Sequence, residues 1–290
     1  MEQLTWGRHY LVVSATHYRI EYQINPFMDL DQQPQPERVA EQWDDLCRAL
    51  TEAGARVEVL PGRPDTPDMV YAMNLGQVWH RAGRGHVLMS NMRFPQRRAE
   101  TQTAAAWFAD HGYQVHWLGQ LQPDGRQLDP DGALTPVFEA GDAFWWRGEL
   151  LVGWGPRTEQ SAIARVGEAL GVPTHPVETT YPAMFHLDLS FCPLTSDTAM
   201  ICPAALDPAS AAELLSVIPD PIELSIEQAL TFAANAVVVG DVVLGAGLDP
   251  KLTDALTGRG LQTRQVDLGQ FHLGGGSLRC LTSPLDITLD

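Results

Sequence analysis

Cysteine is scarce in this chain: Cys47, Cys192, Cys202 and Cys280 are the only four in 290 residues, and no two form a CxxC pair. That scarcity excludes a disulfide framework and a zinc-binding cysteine cluster, and predicts reduced thiols in the cytoplasm. Long apolar runs are also missing, as is a basic segment ahead of an apolar stretch at the N-terminus MEQLTWGRHYLVV. No secretory leader or membrane span is therefore expected. Positive charge is in short supply, with 19 Lys and Arg against 36 Asp and Glu and a net charge of −17. Such a surface repels phosphate backbones and anionic membranes, so neither nucleic acid nor lipid is an expected partner, while a small cation would be drawn in. Nothing reads as disordered. The 44% hydrophobic share, with Gly and Pro scattered throughout, describes a folded, turn-rich chain long enough for one large domain or two ordinary ones.

What the chain does have is a recurring helix-then-strand unit. In ERVAEQWDDLCRALTEAGARVEVLPG, Val39, Trp43, Leu46 and Leu50 fall at helical spacing, Gly54 ends the helix, and Val57 and Val59 alternate as a strand. TQTAAAWFADHGYQVHWLG repeats the plan, as do EQSAIARVGEALGVPTHPVE, PASAAELLSVIPDPIELS behind Asp207, and DPKLTDALTGRGLQTRQVDL. Strand-like runs lie between the copies: DMVYAMN, HVLMSNM, PVFEAGDAFWWRGELLVGW, LDLSFCPLTSDTAMICP, NAVVVGDVVLGAG and SLRCLTS. This alternation predicts an α/β fold, either one doubly wound sheet or blades around an axis. Five copies favour the radial arrangement, in which strand ends far apart in sequence converge on one pocket.

Polar residues interrupt these apolar runs. Asp68 and Asn74 bracket one strand-like run, Glu139 and Asp142 flank an Ala-Gly pair, and His186 and Asp188, two apart, would share one face of a strand. The run FHLGGGSLRCLTSPL presents Cys280 after three glycines, which let backbone approach a ligand closely. A cysteine nucleophile needs a thiolate and a proton-handling neighbour, which histidine supplies near neutral pH. Carboxylates beside them suit a cationic electrophile such as a guanidinium, whose planar N–H donors match carboxylate oxygens. Taken singly, each residue also has an ordinary structural reading: a buried thiol, a core histidine, turn or cap acids.

In order, PDMVYAMN, FEAGD, HLD and GGGSLRC resemble the motifs of the guanidino-group-modifying superfamily, which includes arginine deiminases, dimethylarginine dimethylaminohydrolases, amidinotransferases and arginine dihydrolases. The match spans nearly the whole chain. It implies a five-bladed α/β propeller, the pentein fold, with residues 1–290 as one catalytic domain. By motif it implies Cys280 as nucleophile, His186 as general acid and base, and Glu139 as a carboxylate gripping the guanidinium, with Asp68, Asp142 and Asp188 supporting the substrate cluster. Arg93, in SNMRFPQRR, and Arg157, in WGPRTEQ, resemble the arginines that hold the substrate α-carboxylate, Arg97 and Arg98 competing with Arg93 for that place.

One departure bears on the reaction. Where deiminases and dimethylaminohydrolases carry an aspartate, this chain has Asn74, and Asn25 in HYRIEYQINPFM resembles a segment of the arginine dihydrolases of cyanobacterial bifunctional enzymes. An amide both donates and accepts, so it suits a guanidinium and then a neutral ureido group. The expected function is a hydrolase of a guanidino compound, arginine dihydrolase foremost, with dimethylaminohydrolase or deiminase activity as the alternative. An amidinotransferase and a non-catalytic binding protein on the same fold stay open as other classes. The implied chemistry requires no metal or organic cofactor, the expected partner is the small cationic substrate, and self-association into a homo-oligomer is left open.

Overall fold

A computed structural model describes residues 2–289. Each helix-then-strand copy closes a separate three-stranded sheet, so one doubly wound sheet is excluded. The plan recurs: a first strand pairs antiparallel with a second, a helix crosses over, and a third strand lies parallel to the second. Gly76–Arg81, Arg84–Met89 and Gln114–His116 form one such sheet around helix Arg98–Asp110. Ala143–Trp146, Glu149–Trp154 and Thr174–Glu178 form the next around Ile163–Leu170. Phe191–Pro193, Thr198–Ile201 and Asp220–Glu223 follow with Pro208–Val217, then Val237–Val239, Val242–Gly245 and Gln262–Gln265 with Pro250–Thr257. The fifth sheet joins the two ends of the chain. Its first strand, Ser283–Pro284, comes last in sequence and pairs with His9–Val13, which runs parallel to Arg56–Leu60 across helix Pro36–Glu52. A short ribbon, Gln120–Leu121 against Gln127–Leu128, is inserted after the first sheet.

Helix boundaries follow local chemistry. Pro208 and Pro250 occupy first turns, and Asp207 and Asp249 cap them, Asp207 accepting from Ala209 and Ser210 N–H and Asp249 from Leu252 N–H. Gly171 ends its helix in the left-handed region at φ 66°. The apolar stripes pack inward: Val39, Leu46, Ala49 and Leu50 of the first helix are all buried. Among the described residues no helix is long and apolar enough to cross a membrane.

The chain departs from the strand-like reading at the polar interruptions. DMVYAMN is not a strand but two single turns, Pro67–Val70 and Ala72–Leu75. FEAGD and HLDL likewise hold the turns Ala140–Asp142 and Leu187–Leu189, and in SLRCLTS only Ser283 is in a strand. At Asn74, Asp142 and Asn235 a polar side chain bonds backbone of a neighbouring turn, groups that a ladder would otherwise use. Asn74 Oδ1 accepts from Gly141 N–H at 3.1 Å, and Asp142 Oδ1 from Leu187 N–H at 2.8 Å. Asn235 Nδ2 donates to the Asp188 carbonyl at 2.9 Å while its Oδ1 accepts from Ser277 N–H at 3.1 Å. Met73 N–H donates to the Cys280 carbonyl at 3.0 Å. Each turn is thus bonded to the next and the fifth to the first, in a closed ring of five turns ahead of five sheets. Asn74, Asp142, Asp188, Asn235 and Cys280 each lie in one of these turns, and all are buried.

Candidate active site

The ring brings three separate motifs to one cavity, with the fourth, FEAGD, behind its wall. Asp68, Tyr71, Asn74, His186, Gly274 to Gly276 and Cys280 line it together with Asn25, Arg97 and Arg157. It encloses about 270 Å³ of space between atoms and leaves room for little more than one water, so an amino acid enters only when a wall moves. Larger clefts lie elsewhere, one of them beside Ser14, Trp43 and Asp44, but none gathers a comparable set of ionisable groups.

The glycines are there for space. A side chain on Gly274 would meet the Tyr18 and Tyr71 hydroxyls, one on Gly276 would enter the Tyr71 ring, and Gly275 sits at φ +86° against Asn25. Asn25 Nδ2 donates to the Gly274 carbonyl at 3.0 Å, and its Oδ1 accepts from Phe27 N–H at 2.9 Å. Asn25 therefore fastens the 18–35 segment over the cavity.

Cys280 is 2% exposed. Its sulfur donates to Asp188 Oδ2 at 3.3 Å, and Asn235 Nδ2 lies 3.2 Å from it on another side. Burial, and then the neighbouring Asp188 carboxylate, push the thiol well above its ordinary range. Burial also raises Asp188 itself to about 7, against the lowering effect of Arg279. Asn235 was not singled out in the sequence, and its amide accepts from Ser277 and Cys280 N–H while donating to Asp188 and the sulfur. The only sequence signal is its place in FAANA, matching AMN and AGD in other copies.

His186 Nε2 lies 2.8 Å from Glu139 Oε2, and both side chains are fully buried. A carboxylate only accepts, so Nε2 carries the proton and Nδ1, which has no protein partner, is the nitrogen left for chemistry. Gly141 makes room, since a Cβ there would lie 3.1 Å from Nδ1. Burial raises the Glu139 carboxyl, but Arg157 and then His186 overcome this and hold it below its ordinary value.

Glu139 corrects one expectation. Its Oε1 accepts from Arg93 N–H and its Oε2 from Arg157 Nη1 and His186, so both oxygens are engaged and it does not line the cavity. Its carboxylate is turned to His186 and Arg157 rather than to the cavity. The carboxylate that does line the cavity is Asp68, whose Oδ1 has no partner and whose carboxyl is raised by burial against the pull of Arg97. Asp142 and Asp188 sit behind the wall, Asp142 tying Leu187 N–H and raised to about 6 by burial.

The arginines divide in the same way. Arg93 is directed outward to Glu159 at 3.4 Å and does not line the cavity, because its own N–H, not its guanidinium, is what reaches Glu139. Arg97 takes a wall position instead, buried and paired with Glu100 at 2.7 Å. Arg157 lies between the rings of Phe94 and Phe185 at 4.8 and 4.7 Å. It donates to Glu139 and, through Nη2, to the Ile24 carbonyl at 3.0 Å, joining the histidine pair to the covering segment. Nor do His186 and Asp188 share a strand face: the turn between them sends one to Glu139 and the other to Cys280. Among the described residues no group of three or more His, Cys, Asp and Glu is placed to hold a metal.

Comparison with known proteins gives the same direction. The model of the family described as N,N dimethylarginine dimethylhydrolase, eukaryotic, matches residues 13–287. An N(G),N(G)-dimethylarginine dimethylaminohydrolase of Mycobacterium tuberculosis is 28% identical over 275 residues, 95% of this chain and 85% of that protein. The bifunctional arginine dihydrolase/ornithine cyclodeaminase ArgZ of Synechocystis is also 28% identical, over 94% of this chain, which spans only 37% of that longer protein. The crystal structure of the substrate-bound N-terminal domain of ArgZ superposes with a TM-score of 0.86 at 27% identity, covering 97% of this chain and 99% of that one.

Proposed function

Since the chain belongs to the N,N-dimethylarginine dimethylhydrolase family, a family of guanidino C–N hydrolases, we propose that it uses Cys280 to hydrolyse arginine in two rounds, to ornithine, two ammonia and carbon dioxide. In this reading residues 1–290 are one catalytic domain, and its five sheets are the blades of a five-bladed α/β propeller around the ring of turns. The reading expects a cytoplasmic enzyme with reduced thiols, in keeping with four free cysteines.

The observation that carries the two-round reading is the direction of the Asn74 amide. Its oxygen is committed to Gly141 N–H, and among the described residues its Nδ2 makes no hydrogen bond within the protein, although Asn74 lines the cavity. The side chain therefore offers donors to a ligand. Donors suit the carbonyl oxygen of a ureido group, whereas an aspartate at this place would suit only the N–H groups of a guanidinium.

The steps follow from the same geometry. The guanidinium enters beside Asp68 and near Asp188, and its positive charge next to the sulfur favours the thiolate that burial opposes. The Cys280 thiol proton passes to His186 Nδ1 as Sγ bonds to the guanidinium carbon, and His186 Nδ1 then gives that proton to the departing ammonia. His186 then takes a proton from a water that displaces the sulfur, giving citrulline. In the second round a further water and the same residues convert the ureido group to ornithine, ammonia and carbon dioxide.

Asn74→Asp tests the assignment: the variant should consume arginine but stop at citrulline. Ornithine formed at an unchanged share of product would remove Asn74 from the decision. A second reading, hydrolysis of methylated arginine, is favoured by the family match, and release of dimethylamine from dimethylarginine at a higher kcat/KM than ammonia from arginine would establish it instead.

A further inference from the structure

Arg279 precedes the proposed nucleophile in sequence and faces a different cavity. The residue is 2% exposed, yet among the described residues its Nε and Nη1 have no hydrogen-bond partner. The other buried arginines are paired, Arg97 with Glu100 and Arg157 with Glu139. Arg279 acts through space on the Asp188 carboxyl, but among the described residues no acid is hydrogen-bonded to it, and a buried guanidinium left so is costly and, unlike lysine, does not escape by losing its proton at ordinary pH. Its carbon lies over the rings of Phe144 at 4.8 Å and Trp6 at 5.6 Å.

With Cys192, Pro193 and Ala236 to Val238 these rings line a cavity of about 190 Å³ that shares no lining residue with the one at Cys280. Arg279 is the one charged group on its wall. The space admits something about the size of one water. A full positive charge, uncommitted N–H donors on two nitrogens, apolar confinement and so small a volume together select a small monovalent anion over a carboxylate or phosphate ligand.

We propose that Arg279 holds a small inorganic anion, chloride or one of similar size, in the cavity closed by Trp6 and Phe144. The bound anion completes the buried guanidinium and ties the N-terminal segment, through Trp6, to the turn that carries Cys280. A single water bound there instead would satisfy the N–H groups without any preference among salts.

Thermal melting of the full chain in sodium chloride and in sodium gluconate at equal ionic strength tests this. The melting temperature should rise saturably in chloride, by roughly 5 °C at a hundredfold excess over the dissociation constant, and not in gluconate, which is too large for the space. Arg279→Gln should abolish the difference between salts. Equal melting in the two salts, or the same chloride response in Arg279→Gln, overturns the proposal. Should that variant not fold, a bromide-soaked crystal of the unaltered protein decides: an anomalous peak beside the Arg279 guanidinium is expected, and a data set without one there refutes the site.

Discussion

Cys280 and Asp188 share a hydrogen bond, sulfur to Oδ2 at 3.3 Å, where neither is open to water. The carboxylate therefore works against thiolate formation in the free protein. Iodoacetamide should label Cys280 slowly at pH 7 and faster as pH rises, and Asp188→Asn should move that profile to lower pH, because removing the negative neighbour lowers the thiol pKa. A profile that moved upward, or did not move, would show that another group controls the sulfur.

Asp188 also links pH to stability. Its folded value of about 7 lies above the ordinary 3.8, so the folded protein holds a proton that the unfolded chain has released. That contribution is fully present below about pH 3.8 and is lost as pH rises through 7. Glu100, raised by burial to about 7, acts in the same direction. Urea midpoints should accordingly fall between pH 5 and pH 7.5, with a shallower fall in Asp188→Asn.

Arg157 holds Glu139 and the Ile24 carbonyl at once. Lysine keeps the charge but not the planar fork, so Arg157→Lys should lower kcat/KM by about 10²-fold and expose the 18–35 segment to limited proteolysis. A variant with lowered activity and unchanged cleavage would confine Arg157 to the histidine pair.

Asn235→Asp exchanges the amide donor beside Cys280 for a second negative charge opposite Asp188. The alkylation profile should move to higher pH and kcat should fall at least about 10-fold at pH 7.5. Asn235→Ser, which keeps a donor, should recover part of the loss. If serine behaves as aspartate does, the amide matters for packing alone.

The repeat was legible because helix and strand periods, caps and terminating glycines act locally, as at Asp207, Pro208 and Gly171. Cys280, His186 and Asn74 could be picked out by motif, and the structure gathers them at one cavity. What the sequence could not give is direction. Glu139 and Asp68 are both acids beside apolar residues, and only the fold reveals that one spends its oxygens on His186 and Arg157 while the other keeps an oxygen free. Arg93 and Arg97 stand four apart in one loop, and which enters the wall depends on Glu100 one turn further on. The single turns resemble strands in sequence because their apolar residues alternate, although Asn74 and Asp142 bond across to the next motif.

The most direct test is the product balance of the purified protein with arginine labelled at the guanidino carbon. Two-round hydrolysis predicts ornithine, about two ammonia for each arginine consumed, and all of the label in carbon dioxide, with no ornithine from Cys280→Ser. Citrulline as the sole end product, with one ammonia and the label retained, would contradict it.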